Sequence, residues 1–302
     1  MTDIQSLLAD EMDRLPGQIT PVTGEYTGLS DHGNIVNDAQ LDLIPGIKWF
    51  CTSSTEYKHR VVYKLNPNAT KTVVFVPGGA GRLHSITDST LVMPLTYVTS
   101  NDLPFNIVVL DFDHGMSQSG MRRTGSRSGI RYIKSMFANL ESAQKFFDRA
   151  PRNILYTAFN EFTKILLELK EKIDVEHVWL VGHSNSTEFL ARYVTQFRNE
   201  ICDGLIFMAP KWRDTIKGEF NEYFQRDIRI PLLLIRHEND LCPGITEELA
   251  EMILENSNSP RQKHIVLTGG DNYGLPRFSM GHHGFRGLDS EITATITNFI
   301  HQ

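Results

Sequence analysis

The sequence predicts an α/β fold, a mostly parallel sheet with helices on both faces. Two observations predict it. Six short apolar runs rich in β-branched residues recur at 72–76, 107–110, 178–181, 204–208, 231–235 and 264–267. A strand buried on both faces of a parallel sheet reads as such a continuous run. Between the runs lie stretches with helical spacing. The clearest is 160–172, where Phe162, Ile165, Leu166 and Leu169 make one apolar stripe. Strand alternating with helix implies right-handed crossovers. These bring the strand C-terminal ends to one edge, where α/β sheets bind ligands.

The elements follow in chain order. Residues 1–45 read as an N-terminal extension, with a short helix over 4–15 and then turn signals (Pro16-Gly17, Thr23-Gly24, His32-Gly33-Asn34). Residues 47–52 and 59–65 read as a hairpin, and Asn66-Pro67-Asn68 as a turn. The six strands follow, with helices expected over 160–172, 188–194, 249–256 and 292–300. No repeat and no low-complexity segment interrupts them. The expected division is an extension at 1–45 and one domain at 46–302, with candidate cap segments at 117–150 and 211–229.

Composition bounds the partners. Forty percent apolar and 22% charged residues suit a globular chain with a sizeable core. A net charge of −6 argues against non-specific nucleic-acid binding, which needs broad positive surface. No apolar run approaches the ~18 residues of a membrane span. The first turns of the sequence lack the apolar core of a signal peptide. The three cysteines, Cys51, Cys202 and Cys242, are odd in number and far apart, which fits a reducing compartment. The expectation is a cytoplasmic protein acting on a small molecule, as a monomer or homo-oligomer, with no nucleic-acid or membrane partner.

The chemically informative residues follow the strand ends. The run at 178–181 leads into Gly182-His183-Ser184-Asn185-Ser186 and then a helical stretch. Strand, sharp turn and helix with a serine at the tip is how a nucleophile elbow reads, and the turn demands small neighbours. A serine hydroxyl needs a histidine to take its proton, and that histidine needs a carboxylate to hold its tautomer. Ser184, Asp240 and His283 stand in that order, each in a loop after a predicted strand. Further motifs are Phe75-Val76-Pro77-Gly78-Gly79, Asp111-Phe112-Asp113-His114-Gly115, His237-Glu238-Asn239-Asp240-Leu241-Cys242-Pro243 and His283-Gly284-Phe285-Arg286-Gly287.

In these motifs and their order the sequence resembles the α/β-hydrolase superfamily over residues 45–302. The elbow has Ser186 in place of the second glycine of the Gly-x-Ser-x-Gly pattern, and Pro77 replaces the usual histidine of the glycine loop. The resemblance implies an α/β-hydrolase fold and a serine hydrolase that cleaves a carboxylic ester, thioester or amide through an acyl-enzyme, without cofactor or metal. Ser184 is then the nucleophile, His283 the general base and acid, and Asp240 the residue that orients it. The oxyanion hole is implied at the backbone N–H groups of Asn185 and Gly79, with Ala80 as the alternative second donor. A lyase or acyltransferase using the same triad, and a non-catalytic ligand-binding relative, are the alternatives.

Each residue has a plainer reading. Ser184 suits a helix N-cap. Glu238, Asp203 and Asp214 rival Asp240, and His282 rivals His283. His183 reads as a hydrogen-bonding residue under the elbow. His237, Glu238, Asp240 and Cys242 lack the second histidine of a helical zinc motif. Cys242 reads as a packing residue. Arg122, Arg123 and Arg127, in a basic stretch at 121–134, are candidate ligands for an anionic substrate group. Ala80, His282 and Trp212 are candidate pocket-lining residues, Trp212 equally an ordinary packing residue.

Overall fold

The computed structural model describes residues 46–53, 59–78, 103–112, 151–196, 200–212, 228–242, 244, 246–271 and 281–302. The expectations for 1–45, for Gly79, Ala80, Asp214 and the arginines of 121–134, for the cap segment 117–150 and for most of 211–229 lie outside these residues.

Among the described residues, eight strands form one sheet. They are β1 (Lys48–Cys51), β2 (Arg60–Lys64), β3 (Lys71–Val76), β4 (Asn106–Asp111), β5 (His177–His183), β6 (Gly204–Met208), β7 (Leu232–His237) and β8 (Gln262–Leu267). Their order across the sheet is β1-β2-β4-β3-β5-β6-β7-β8. The β1–β2 hairpin is antiparallel, β2 lies antiparallel to β4, and every pairing from β4 to β8 is parallel. The α/β expectation therefore holds, with an antiparallel hairpin at one edge. Among the described residues, four α-helices accompany the strands: α1 (Pro151–Ile173), α2 (Asn185–Gln196), α3 (Glu247–Asn256) and α4 (Asp289–Ile300). Among the described residues, no helix is long and apolar enough to cross a membrane.

The period-2 geometry of the strands divides the core into two layers. Val73, Phe75, Val109, Val181, Met208 and Ile235 face one side with Ile292, Ile296 and Phe299 of α4. Val74, Val76, Val108, Leu180, Phe207 and Leu234 face the other with α1, α2 and α3. The stripe on α1 is the expected one: Phe162, Ile165, Leu166 and Leu169 are all buried. Phe162 meets Phe189 and Tyr193 of α2 edge to face, with ring centroids 5.3 and 4.7 Å apart. Such pairs contribute about 0.5–1.5 kcal/mol each beyond their buried area. They hold α1 against α2, the helix that follows the elbow.

One glycine is required by packing inside the sheet. Gly204 of β6 stands opposite Trp179 of β5. A Cβ on Gly204 would lie 2.3 Å from the Trp179 ring, which is itself braced edge to face on Phe299. Gly204→Ala is therefore expected to destabilise the fold by about 1–3 kcal/mol, the usual cost of overpacking. Urea denaturation would measure it, and an unchanged midpoint would contradict the packing described.

Candidate active site

The site is built at the C-terminal edge of the sheet. Ser184 is the single residue between β5 and α2, and its backbone takes φ 55°. An L-residue there is strained by about 1–2 kcal/mol. The strain persists because the neighbours over-determine the turn. The Ser184 N–H donates to the Met208 carbonyl at 2.9 Å, and the Ser184 carbonyl accepts from Thr187 N–H at 3.1 Å and from Thr187 Oγ1 at 2.7 Å. The small neighbours have contact reasons. A Cβ on Gly182 would approach Leu190 Cδ1 to 2.9 Å and the Thr187 backbone to 3.1 Å, where α2 turns back over the strand. A Cβ on Gly78 would lie 2.8 Å from His183 Nδ1 and 3.0 Å from Ser184 Cβ, so the backbone at Gly78 presses against the elbow.

Ser186, where the family pattern has glycine, does more than fit. Its buried hydroxyl accepts from His183 N–H at 2.7 Å. Its proton is shared between the carbonyls of Val76 at 2.7 Å and His183 at 2.8 Å. It thereby ties the end of β3 to the end of β5. A hydroxyl in this role is invisible to a motif that asks only for a small residue.

Three distant side chains meet at the elbow. His283 Nε2 lies 3.1 Å from Ser184 Oγ, and His283 Nδ1 lies 2.9 Å from Asp240 Oδ2. All three residues are buried. Asp240 follows β7, where its other oxygen accepts the Cys242 N–H at 2.9 Å. His283 sits in a short 3-10 turn, His282–Gly284, that leads into Phe285 at φ 55° and Gly287 at φ 76°. These left-handed residues curl the loop so that His283 points inward and His282 does not. His282 is half-buried and stacks on His237 instead, with ring centroids 4.0 Å apart.

The rivals fall elsewhere. Glu238 is exposed and touches Asn239. Asp203 accepts the Val178 N–H at 2.7 Å, at the far end of β5. His183 is buried, and its Nε2 lies 2.7 Å from the His283 carbonyl, so it supports the histidine loop from beneath. Burial above all, and then the nearby His283, push the His183 pKa down to about 3, so its ring is neutral and Nε2–H is the donor. Trp212 packs with the α1–α3 side of the core. Asn185 is the first residue of α2, so its N–H has no carbonyl one turn back to bond within the helix.

Cys242 is more than a packing residue by position. Its sulfur, an oxygen of Asp240 and a nitrogen of His283 all lie within 4.8 Å of one another. Lys211 Nζ donates to the sulfur at 3.3 Å. Burial alone would raise the Cys242 pKa, but His283 and Lys211 outweigh it and bring it below the usual thiol range. As a metal donor set the three residues fit poorly. The His283 and Asp240 atoms are already bonded to each other, and an ammonium sits on the sulfur.

No family model matches the sequence, and no curated protein matches it. Solved structures do match the fold. Est1E from Butyrivibrio proteoclasticus superposes with a TM-score of 0.54 at 10% identity, over 83% of this chain and 97% of that one. XC6422 from Xanthomonas campestris, described as an α/β serine hydrolase without lid, has a TM-score of 0.51 at 11% identity, over 85% and 94%. The chain has the α/β-hydrolase fold. An α/β serine hydrolase homologue from Coxiella burnetii matches that fold too, with a TM-score of 0.50 at 14% identity, over 83% and 96%. On the hydrolase fold the Ser184 turn, the Asp240 loop and the His283 loop all lie at one sheet edge, following β5, β7 and β8.

Proposed function

We propose that this chain is a serine hydrolase that cleaves a carboxylic ester through an acyl-enzyme. The observation that carries the reading is the unbroken hydrogen-bonded chain from Ser184 Oγ through His283 to Asp240, on a serine held in a left-handed turn. In the first step Ser184 Oγ attacks the ester carbonyl while its proton passes to His283 Nε2. Asp240 keeps the Nδ1–H in place and stabilises the imidazolium. The oxyanion forms beside the Asn185 N–H, with Gly79 as the second donor; one such donor is worth about 10²–10³ in rate. The alkoxide leaves with the proton from His283. Water then gives a proton to the same nitrogen, attacks the acyl carbonyl, and frees the acid and Ser184. Each proton taken is returned, so the cycle needs no cofactor.

A fluorophosphonate probe followed by intact-mass spectrometry tests the nucleophile. One adduct on Ser184 is expected, together with free acid from a panel of activated esters. Absence of any adduct would sink the reading, and transfer of the acyl group to a non-water acceptor would move it to the acyltransferase class.

The same geometry sets the pH dependence. Burial disfavours the charged His283 ring, but its hydrogen bond to Asp240, its contact with Cys242 and the charge of both outweigh this and hold its pKa up at about 9. A general base must be neutral to take a proton. The value of kcat/KM is therefore expected to keep rising above neutral pH, instead of levelling off near the ordinary imidazole range. Cys242→Ala removes one of the groups that hold the proton and should move the rise to lower pH. An identical profile in the variant would show that the sulfur has no influence on His283.

A further inference from the structure

His237 ends β7 and is fully buried, three residues before Asp240. Both its ring nitrogens are used. Nδ1 lies 3.0 Å from the Asn239 backbone N–H, which can only donate, so Nδ1 accepts. Nε2 lies 2.8 Å from the Gly269 carbonyl, which can only accept, so Nε2 carries the proton. These two partners specify a neutral ring in one tautomer. The ring stacks on His282 at 4.0 Å and 9°. His282 Nδ1 in turn lies 3.1 Å from the Asn239 carbonyl. The residue next to Asp240 is thus held at both of its backbone polar groups by two stacked imidazoles. Consecutive histidines, His282 and His283, reach consecutive residues of the acid loop, Asn239 and Asp240.

We infer that His237 is a positioning residue for the triad: as the neutral imidazole it clamps the Asn239 peptide and the His282 ring, and so sets the register in which Asp240 meets His283. This rests on the serine hydrolase reading above and extends it to a residue that touches neither Ser184 nor His283. Protonation would put an N–H on Nδ1 facing the Asn239 N–H, and a charge against the His282 ring, so the clamp opens in acid. The ionisable groups that face it are Glu238 and Asp240 on its own loop and His282 from the histidine loop. Burial above all keeps its pKa below the usual imidazole range, which maintains the clamp at neutral pH.

The test uses the full chain with His237→Phe, which keeps the stack and removes both ring hydrogen bonds, and His237→Gln, which keeps one acceptor and one donor. Misplaced catalytic groups cost up to about 10²-fold. His237→Phe is expected to lose about 10–100-fold in kcat with KM nearly unchanged, and His237→Gln to regain most of it. In the wild type, log kcat/KM should steepen in acid from a slope of about one to about two as His237 protonates, and stay near one in His237→Phe. The low-field proton resonance of His283 Nδ1–H reads the Asp240 contact without any turnover, and it should shift or vanish in His237→Phe. If that variant does not fold, His282→Phe keeps the stack, breaks only the Asn239 contact, and should show the same changes in smaller measure. Folded variants with wild-type kcat, slope and resonance would overturn the positioning role. A wild-type chain that no fluorophosphonate labels would instead count against the serine hydrolase reading, and the resonance would still decide the register.

Discussion

Ser184→Ala is expected to lower kcat by on the order of 10⁶, the scale seen when a triad nucleophile is removed. The fold should survive. Alanine keeps the Cβ, so the strain at φ 55° is unchanged, and the backbone bonds to Met208 and Thr187 do not involve the hydroxyl. The hydroxyl's one described side-chain partner is His283 Nε2. Ser184→Gly is an informative companion. It should be equally inactive but more stable than the alanine variant, because glycine adopts a positive φ without steric cost. Ester turnover and probe labelling, alongside urea denaturation of all three proteins, separate the two effects. An alanine variant that hydrolyses ester at the wild-type rate would end the proposed mechanism.

Asp240→Asn is expected to cost about 10⁴ in kcat, with the geometry intact. The direction in which the amide settles is dictated locally. Asp240 Oδ1 accepts the Cys242 N–H, so the amide oxygen must stay on that side and the NH₂ must face His283. The ring can then accept only at Nδ1, which places its proton on Nε2, where it blocks transfer from Ser184. A stability signature accompanies the loss. His283 has its pKa raised in the fold, to about 9 from 6.5, so it favours the folded state fully below about pH 6.5 and loses that contribution as pH rises through 9. In Asp240→Asn this decline in stability with rising pH should flatten. An asparagine variant with wild-type kcat would show that Asp240 does not orient the base.

Much of the fold is legible because its physical causes are local. A strand buried on both faces must be apolar throughout, and the run at 204–208 coincides with β6 residue for residue. The edges are less legible where polar residues are buried with partners. β7 runs on through Arg236 and His237, which end the apolar pattern yet are buried, Arg236 beside Glu247 and His237 with both nitrogens bonded. Helix α1 begins at Pro151, nine residues before the apolar stripe becomes clear, since proline is tolerated in a first helical turn.

The site divides in the same way. Small residues at 182 and 186, a serine between them and an acid and a histidine after later strands are properties of the chain, and they point to one sheet edge because parallel strands share their C-terminal ends. Which of two adjacent histidines turns inward, and which of two loop acids meets it, depends on backbone torsions at Phe285 and Gly287 and on partners about 40 to 100 residues away. The sequence alone determined where Ser184, Asp240 and His283 emerge. Only the tertiary structure decided their directions, the second task of Ser186 and the hydrogen bonds of His237, because hydrogen bonds between remote loops leave no periodic trace along the chain.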